Sequence, residues 1–152
     1  KMMKNLKLYF LLLLLSIAFL IGGFLSKDET LDINVHDTYY VVAYNHFYYL
    51  ISIVTFLLFL VYWIFDKIKF DLIKSLSIVH VFGTLLSVLG LCFPYHLIFT
   101  TPEFPLFDDY NKVNLYLTIS AILFVAFQLV FLINILITLI KKLASFFKKE
   151  IE

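Results

Sequence analysis

The sequence predicts an all-α integral membrane protein that folds as a four-helix bundle with both termini on the cytoplasmic side. Three observations favour this fold class. Hydrophobic residues make up 62% of the 152-residue chain, compared with roughly 45–50% in soluble domains. Four apolar runs approach or exceed the length of about 20 residues that crosses a bilayer. The lysines are concentrated in alternate connections between those runs.

The four apolar runs predict four membrane spans within a single domain that covers residues 1–152. They lie at about residues 8–25, 39–65, 75–99 and 113–140. The first follows three lysines and therefore also has the pattern of a signal peptide. We interpret it as a retained helix because the SKDETLD segment after it has no small-x-small cleavage pattern. The second and fourth runs exceed the roughly 30 Å hydrocarbon core, so they should tilt or project.

The lysine distribution predicts the orientation. Ten of the twelve lysines fall near the two termini or in the connection 66–74, whereas Lys27 and Lys112 fall in the other two connections. Because lysine-rich connections stay in the cytoplasm, we expect both termini and the segment 66–74 to face inward. The Lys-rich, Arg-free and Phe-rich composition is typical of a low-GC genome, which favours a bacterial inner (plasma) membrane.

Composition also restricts the partners. The chain has no arginine, so the bidentate guanidinium contacts that hold phosphates are missing. Together with the lack of a basic groove, this argues against nucleic-acid binding. A single cysteine, Cys92, excludes an internal disulfide and any Cys-x-x-Cys motif. The 18 phenylalanines and 10 tyrosines exceed what interfacial belts need. We therefore expect contacts with the lipid bilayer and with other membrane subunits or a second copy.

Small and polar residues within the apolar runs predict how the helices pack. Gly83, Ser87 and Gly90 form one stripe on the third run. Small residues in such a stripe let two helices approach closely. Gln128 and Asn134 lie within the fourth run. An unpaired amide in lipid is costly, so both are predicted to face inward and to bond with other helices.

A cluster of polar side chains surrounds the expected start of the second helix, which the apolar pattern places at about residues 38–40. His36 and Asp37 should then lie at the outer interface. They could cap that helix, or Asp37 could join the other acidic residues of the outer loops in a weak divalent-cation site. His46 would lie about 15 Å deeper than His36 if the stretch were helical throughout. It could bond to a neighbouring helix, for example through Gln128, or serve as a ligand.

The same stretch resembles a known family. The run HDTYYVVAYNHFYY (36–49) is similar to the signature of haem–copper oxidases in subunit I of cytochrome c oxidase, where the residues after HDTYYVVA read His-Phe-His. The resemblance continues through FLIGG (19–23), IVHVFGTLLSVLGLCFPYHLIF (78–99) and TPEFPLFDDYNKVNLYLTIS (101–120). It implies the last four helices of the twelve-helix oxidase core, covering roughly residues 15–140.

The resemblance implies only part of the family's ligand set. His36 and Asp37 match the outer pair near the magnesium ion and the haem propionates. His46 matches an axial ligand of the low-spin haem. Tyr44 stands where the family has the histidine ligand of the high-spin haem. The copper ligands lie on helices absent from this chain, and so does the opposing low-spin ligand. The resemblance therefore implies that the chain alone cannot reduce oxygen and is not an enzyme.

Three functions remain open at this point. The first is a non-catalytic membrane subunit or scaffold of a larger complex, such as a respiratory complex, most simply without a cofactor. The second is a b-type haem electron carrier that uses His46, with His80, His96 or a second copy's His46 as the other ligand. By depth, His80 should lie too far inward and His96 too far outward. The third is a proton or ion pathway that uses Tyr44, Asn45 and His46.

Overall fold

A computed structural model describes residues 7–26, 30–35, 38–93 and 107–151. The described chain contains four helices and one two-stranded hairpin. In chain order these elements are α1 (Phe10–Leu25), β1 (Thr30–Val35), β2 (Thr38–Ala43), α2 (Tyr44–Lys67), α3 (Lys74–Leu91) and α4 (Phe107–Ile151). The helices run up and down and pack as two antiparallel pairs, α1 with α2 and α3 with α4.

Hydroxyls and glycines hold α1 against α2. Midway along the pair, the Ser16 hydroxyl donates to the Ser52 carbonyl at 2.9 Å, and the Ser52 hydroxyl donates to the Ser16 carbonyl at 2.8 Å. Toward the end of α1, a Cβ atom built on Gly23 would lie 2.4 Å from the Tyr49 ring. Such a distance is shorter than real Cβ contacts, so glycine is required for this approach.

The α3–α4 pair confirms the predicted small-residue packing. A Cβ atom on Gly83 would lie 2.2 Å from the Phe127 ring, and one on Gly90 would lie 2.4 Å from the Ser120 hydroxyl. The third member of the stripe, Ser87, is also buried. Its hydroxyl donates a hydrogen bond to the Gly83 carbonyl of the same helix at 2.8 Å, as serines in apolar helices often do.

The two helix pairs meet in an apolar core near the end where α2 finishes and α3 begins. Leu12 on α1, Tyr62 on α2, Val81 on α3 and Phe131 on α4 belong to one buried cluster. Leu12 and Val81 are fully inaccessible. Each helix therefore contributes at least one side chain to the same core, which fixes the four helices as one bundle.

The lengths of the helices agree with the predicted spans only in part. Among the described residues, three helices are long and apolar enough to cross a membrane, at Tyr44–Lys67, Lys74–Leu91 and Lys112–Phe147. The helix α1 has 16 residues and is shorter than that class. The helix α4 has 45 residues, far more than the predicted 113–140 segment.

A β-hairpin replaces the expected start of the second helix, so the all-α prediction is wrong in this region. The strands β1 and β2 pair antiparallel, with Thr30 opposite Ala43 and Val35 opposite Thr38. The segment Thr38–Ala43 reads TYYVVA, and β-branched and aromatic residues favour strands over helices. Helix α2 begins only at Tyr44, so the apolar pattern placed its start several residues too early.

The predicted cap of the second helix is also wrong. The residue at the N-cap position of α2 is Ala43, and no side chain caps this end. Asp37 itself lies outside the described residues, seven positions before the first residue of α2.

Candidate functional site

The sequence-predicted residues occupy only the edge of the described structure. His46 lies in the first turn of α2, and its side chain is exposed. Its backbone N–H donates to Oδ1 of Asn45 at 2.7 Å. The estimate of an additional 15 Å of helical depth below His36 is wrong, because residues 38–43 form a strand. Tyr44 and His46 do share α2, so their side chains leave it on opposite flanks.

The candidate metal ligands His36 and Asp37 lie outside the described residues, and so does His96. The predicted magnesium-type site therefore stays a prediction. Among the residues that the structure does describe, no three His, Cys, Asp or Glu side chains come together in a way that could hold a metal ion.

The most elaborate polar arrangement centres instead on His80, which is fully buried on α3. The Tyr62 hydroxyl on α2 lies 2.9 Å from His80 Nδ1, and Oε1 of Gln128 on α4 lies 3.1 Å from His80 Nε2. The His80 ring also stacks on Phe131, with centroids 4.7 Å apart and an interplanar angle of 16°. One imidazole thus joins three helices.

The acceptors in this network fix where its protons lie. Oε1 of Gln128 can only accept, so His80 Nε2 carries the proton and donates to it. His80 Nδ1 is then the acceptor of the Tyr62 hydroxyl proton. The Gln128 amide nitrogen donates to Thr84 Oγ1 and to the Phe124 carbonyl, each at 3.2 Å. The arrangement describes a neutral histidine with both ring nitrogens in use.

A second polar contact clamps the start of α3 to α4. Oδ1 of Asn134, which is fully buried, accepts the Ile73 N–H at 2.9 Å. The Asn134 amide nitrogen donates to the Ile73 carbonyl at 3.2 Å and to the Ser77 hydroxyl at 3.1 Å. Oδ1 of Asn134 thus satisfies the Ile73 N–H, one of the N–H groups that the beginning of a helix leaves unpaired. The described residues contain no buried side-chain nitrogen or oxygen without a partner.

These contacts confirm that Gln128 and Asn134 face inward and bond to another helix. The suggested bond between His46 and Gln128 is wrong, because Gln128 bonds to His80 and Thr84 instead.

An ion pair closes the same end of the bundle. The Lys7 ammonium donates to the Asp66 carboxylate at the end of α2. The Tyr9 hydroxyl reaches the same carboxylate oxygen at 3.3 Å. The hydrogen bond to Asp66 raises the pKa of Lys7 above its ordinary value. Lys7 remains exposed, so the pair marks the end of the bundle more than it stabilises it.

The geometry does not fit a haem held between His46 and His80 of one chain. His46 precedes Tyr62 by sixteen residues in α2, so they are separated by about 24 Å along the helix, and Tyr62 contacts His80 directly. The two axial nitrogens of a haem must approach its iron ion from opposite faces of the same porphyrin ring, so the two histidines must lie close together. His46 and His80 are therefore too far apart along the bundle axis to bind one haem together.

Sequence reasoning missed several of the residues that build this site. Nothing in the sequence distinguished Tyr62 from the other nine tyrosines. The Ser16–Ser52 contact was not predicted either. The available signal was the same as for Gln128: a polar group within a long apolar helix needs a partner on another helix. The sequence suggested His80 only as a possible haem ligand, because its partners are 18 and 48 residues away.

No known family model matches this chain, and no curated protein or solved structure shows significant similarity to it.

Proposed function

We propose that this chain is a non-catalytic membrane subunit that contributes a preassembled helical bundle to a larger complex. The observation that carries the proposal is the use of His80. The residue type best suited to ligation or proton transfer has both ring nitrogens committed to Tyr62 and Gln128, which join three helices. A buried polar network with every member satisfied rigidifies a bundle and selects one packing arrangement.

The proposed membrane arrangement has four spans with α1 as the shortest. The start of α1, the end of α2, the start of α3 and the 134–142 part of α4 lie at one level. The contacts Lys7–Asp66, Ile73–Asn134 and Lys142 over the Phe70 ring at 5.2 Å bring them together. The basic residues Lys7, Lys67, Lys69, Lys74, Lys141 and Lys142 belong to this end. The rule of positive cytoplasmic loops makes it the inner end, in a membrane that we propose to be the bacterial plasma membrane.

The proposed partner contacts use the apolar exterior. Only 11% of the Lys112–Phe147 segment of α4 is buried within the bundle. Leu129, Leu132 and Leu136 are each more than half exposed. Lipid can cover such a surface, but a 45-residue helix that packs mainly on α3 also offers a long face to another subunit. The proposed relationship to the haem–copper oxidase core accounts for a bundle without a complete set of ligands.

The haem-carrier alternative draws support from one feature, the exposure of His46. Of the described histidines, His80 is too far away to be the second ligand. This alternative therefore needs His96, which lies outside the described residues, or a ligand from another chain, and it predicts a pigment.

The proposal is tested by extracting the full-length chain from its native membrane in a mild detergent. We expect it to migrate with partner chains in a fixed ratio and to show no haem absorption above that of its partners. Recombinant chain alone should be colourless. A low-spin haem spectrum from the isolated chain that disappears in His46→Ala would reject the scaffold function in favour of the haem electron carrier.

Orientation is tested in a Cys92→Ser background with single cysteines at opposite ends. Lys69→Cys should react with an impermeant thiol reagent only after the membrane is opened, whereas Thr38→Cys should react in intact cells. Both positions are exposed in the bundle, so local burial cannot mimic the result. Labelling of Lys69→Cys from outside would reverse the orientation.

A further inference from the structure

A cavity of about 560 Å³ opens at the end of the bundle that carries the Lys7–Asp66 pair. It lies between the start of α1, the end of α2 and the segment that leads into α3. Binding sites for small molecules commonly have volumes of about 300–1,000 Å³, with apolar walls and a few polar groups. The cavity has both features, and the polar contacts described above do not fill it.

The charged groups that line the cavity have both signs and cancel. Lys7 and Asp66 face it as an ion pair, and Asp71 and Lys74 face it from the segment before α3 and from its first residue. A purely anionic ligand would meet two carboxylates, and a purely cationic ligand would meet two ammonium groups. A ligand that carries one charge of each sign can pair with Asp71 and Lys74 together.

The walls require that the ligand also carry hydrocarbon. Tyr9, Phe65, Phe70 and Val81 line the cavity. A small zwitterion such as an amino acid could pair with Asp71 and Lys74, but it would leave these apolar side chains uncovered. The neighbouring Ile78 is 37% exposed, so the apolar wall continues onto the outer surface of the bundle. Hydrocarbon chains attached to the ligand can extend from the cavity along that apolar surface.

We infer that this cavity binds the headgroup of a zwitterionic phospholipid whose cation is a primary ammonium. The ammonium pairs with Asp71, the phosphate pairs with Lys74, and the glycerol and upper acyl carbons rest on the aromatic walls. A primary ammonium donates hydrogen bonds to a carboxylate, whereas a quaternary ammonium cannot. This inference rests on the membrane placement proposed above, because a lipid reaches the cavity only from a bilayer.

Native mass spectrometry of the detergent-solubilised full-length chain tests the inference. The probes are palmitoyl-oleoyl phosphatidylethanolamine, phosphatidylcholine and phosphatidylglycerol, which share acyl chains and differ in headgroup. We expect one retained phosphatidylethanolamine per chain, preferred about tenfold over each of the other two lipids, as expected for one charge-assisted hydrogen bond. Equal retention of the three lipids would overturn the inference.

Two variants assign the headgroup contacts. Asp71→Asn should reduce the preference for phosphatidylethanolamine over phosphatidylglycerol, because it removes the partner of the ammonium. Lys74→Gln should weaken retention of both lipids, because it removes the partner of their phosphate. Far-UV circular dichroism confirms that each variant keeps its helices.

The matched control is Lys69→Gln, which removes the same charge from the same end of the bundle but lies outside the cavity. It should retain lipid as the parent chain does. Loss of lipid from Lys69→Gln equal to that from Lys74→Gln would show general charge attraction and overturn the site. Assembly with partner subunits is measured separately, so failure of lipid selectivity with assembly intact rejects this inference alone.

Discussion

The two described histidines of the helical bundle lie in opposite surroundings. His46 is exposed in the first turn of α2, next to a β-hairpin. His80 is inaccessible and is bonded through both ring nitrogens to side chains of two other helices. The sequence motif drew attention to His46, whereas the three-dimensional arrangement depends on His80.

The difference shows that a motif and a network report different properties. A motif records residue types that are adjacent in sequence, such as Tyr44, Asn45 and His46. A network records which distant side chains meet after the helices pack. For a bundle that we propose to be a structural subunit, the network residues should control stability, and the motif residues should be free to change.

The largest effect is expected from Gly83→Leu, which breaks the packing that supports the His80 network. Even a Cβ atom at this position would lie 2.2–2.4 Å from three atoms of the Phe127 ring. The helices α3 and α4 must then separate, which carries Gln128 away from His80. We expect a loss of about 3 kcal/mol in the free energy of unfolding, measured by titration with sodium dodecyl sulfate in mixed micelles.

Two controls accompany that measurement. Leu89→Ile alters an exposed residue of the same helix and should change stability little. Gly83→Ala combined with Phe127→Leu should recover part of the stability that Gly83→Ala loses, because the smaller side chain makes room for the methyl group. Equal tolerance of Gly83→Leu and Leu89→Ile would contradict the close contact.

The next effect compares the two histidines directly. His80→Leu leaves the Tyr62 hydroxyl and the Gln128 carbonyl oxygen without their shared partner, and we expect a loss of about 2 kcal/mol. His46→Leu should cost under about 0.5 kcal/mol, as for other exposed positions. The fluorescence of Trp63, the single tryptophan, reports unfolding of α2 in both variants. Greater destabilisation by His46→Leu would reverse the assignment of roles.

The number and order of the helices could be predicted from sequence because apolar runs of this length have few alternatives. The inward direction of Gln128 and Asn134 followed from the cost of an unpaired amide. The hairpin was missed because TYYVVA is as apolar as the helix that follows it, and hydropathy does not separate a strand from a helix. The partners of His80 were missed because periodicity cannot say which faces of two helices meet.

A smaller effect is expected at the α1–α2 contact. The Ser16 and Ser52 hydroxyls each donate a hydrogen bond to the backbone carbonyl of the other residue. Ser16→Ala should therefore cost about 1 kcal/mol of the free energy of unfolding. Since alanine is also small, the helices can keep their spacing, and the loss isolates the hydrogen bonds. In a double-mutant cycle with Ser52→Ala, the two losses should not add fully, because the two hydroxyls also lie 3.2 Å from each other and either substitution removes that shared contact. Full additivity would mean that each serine acts alone.

The smallest effect is expected at the exposed end of the bundle, where Lys7 pairs with Asp66. The pair raises the pKa of Lys7 in the folded chain, so its contribution is fully present below the ordinary lysine pKa and is lost only as the pH rises through the higher folded value. Lys7→Gln should therefore lower stability slightly at neutral pH. It should also remove the small loss of stability that we expect for the parent chain at strongly alkaline pH. Because the ammonium is exposed, salt should screen the difference. Stability titrations at low and high ionic strength measure it, and a salt-independent loss as large as that of His80→Leu would show that this end, rather than the buried network, holds the bundle together.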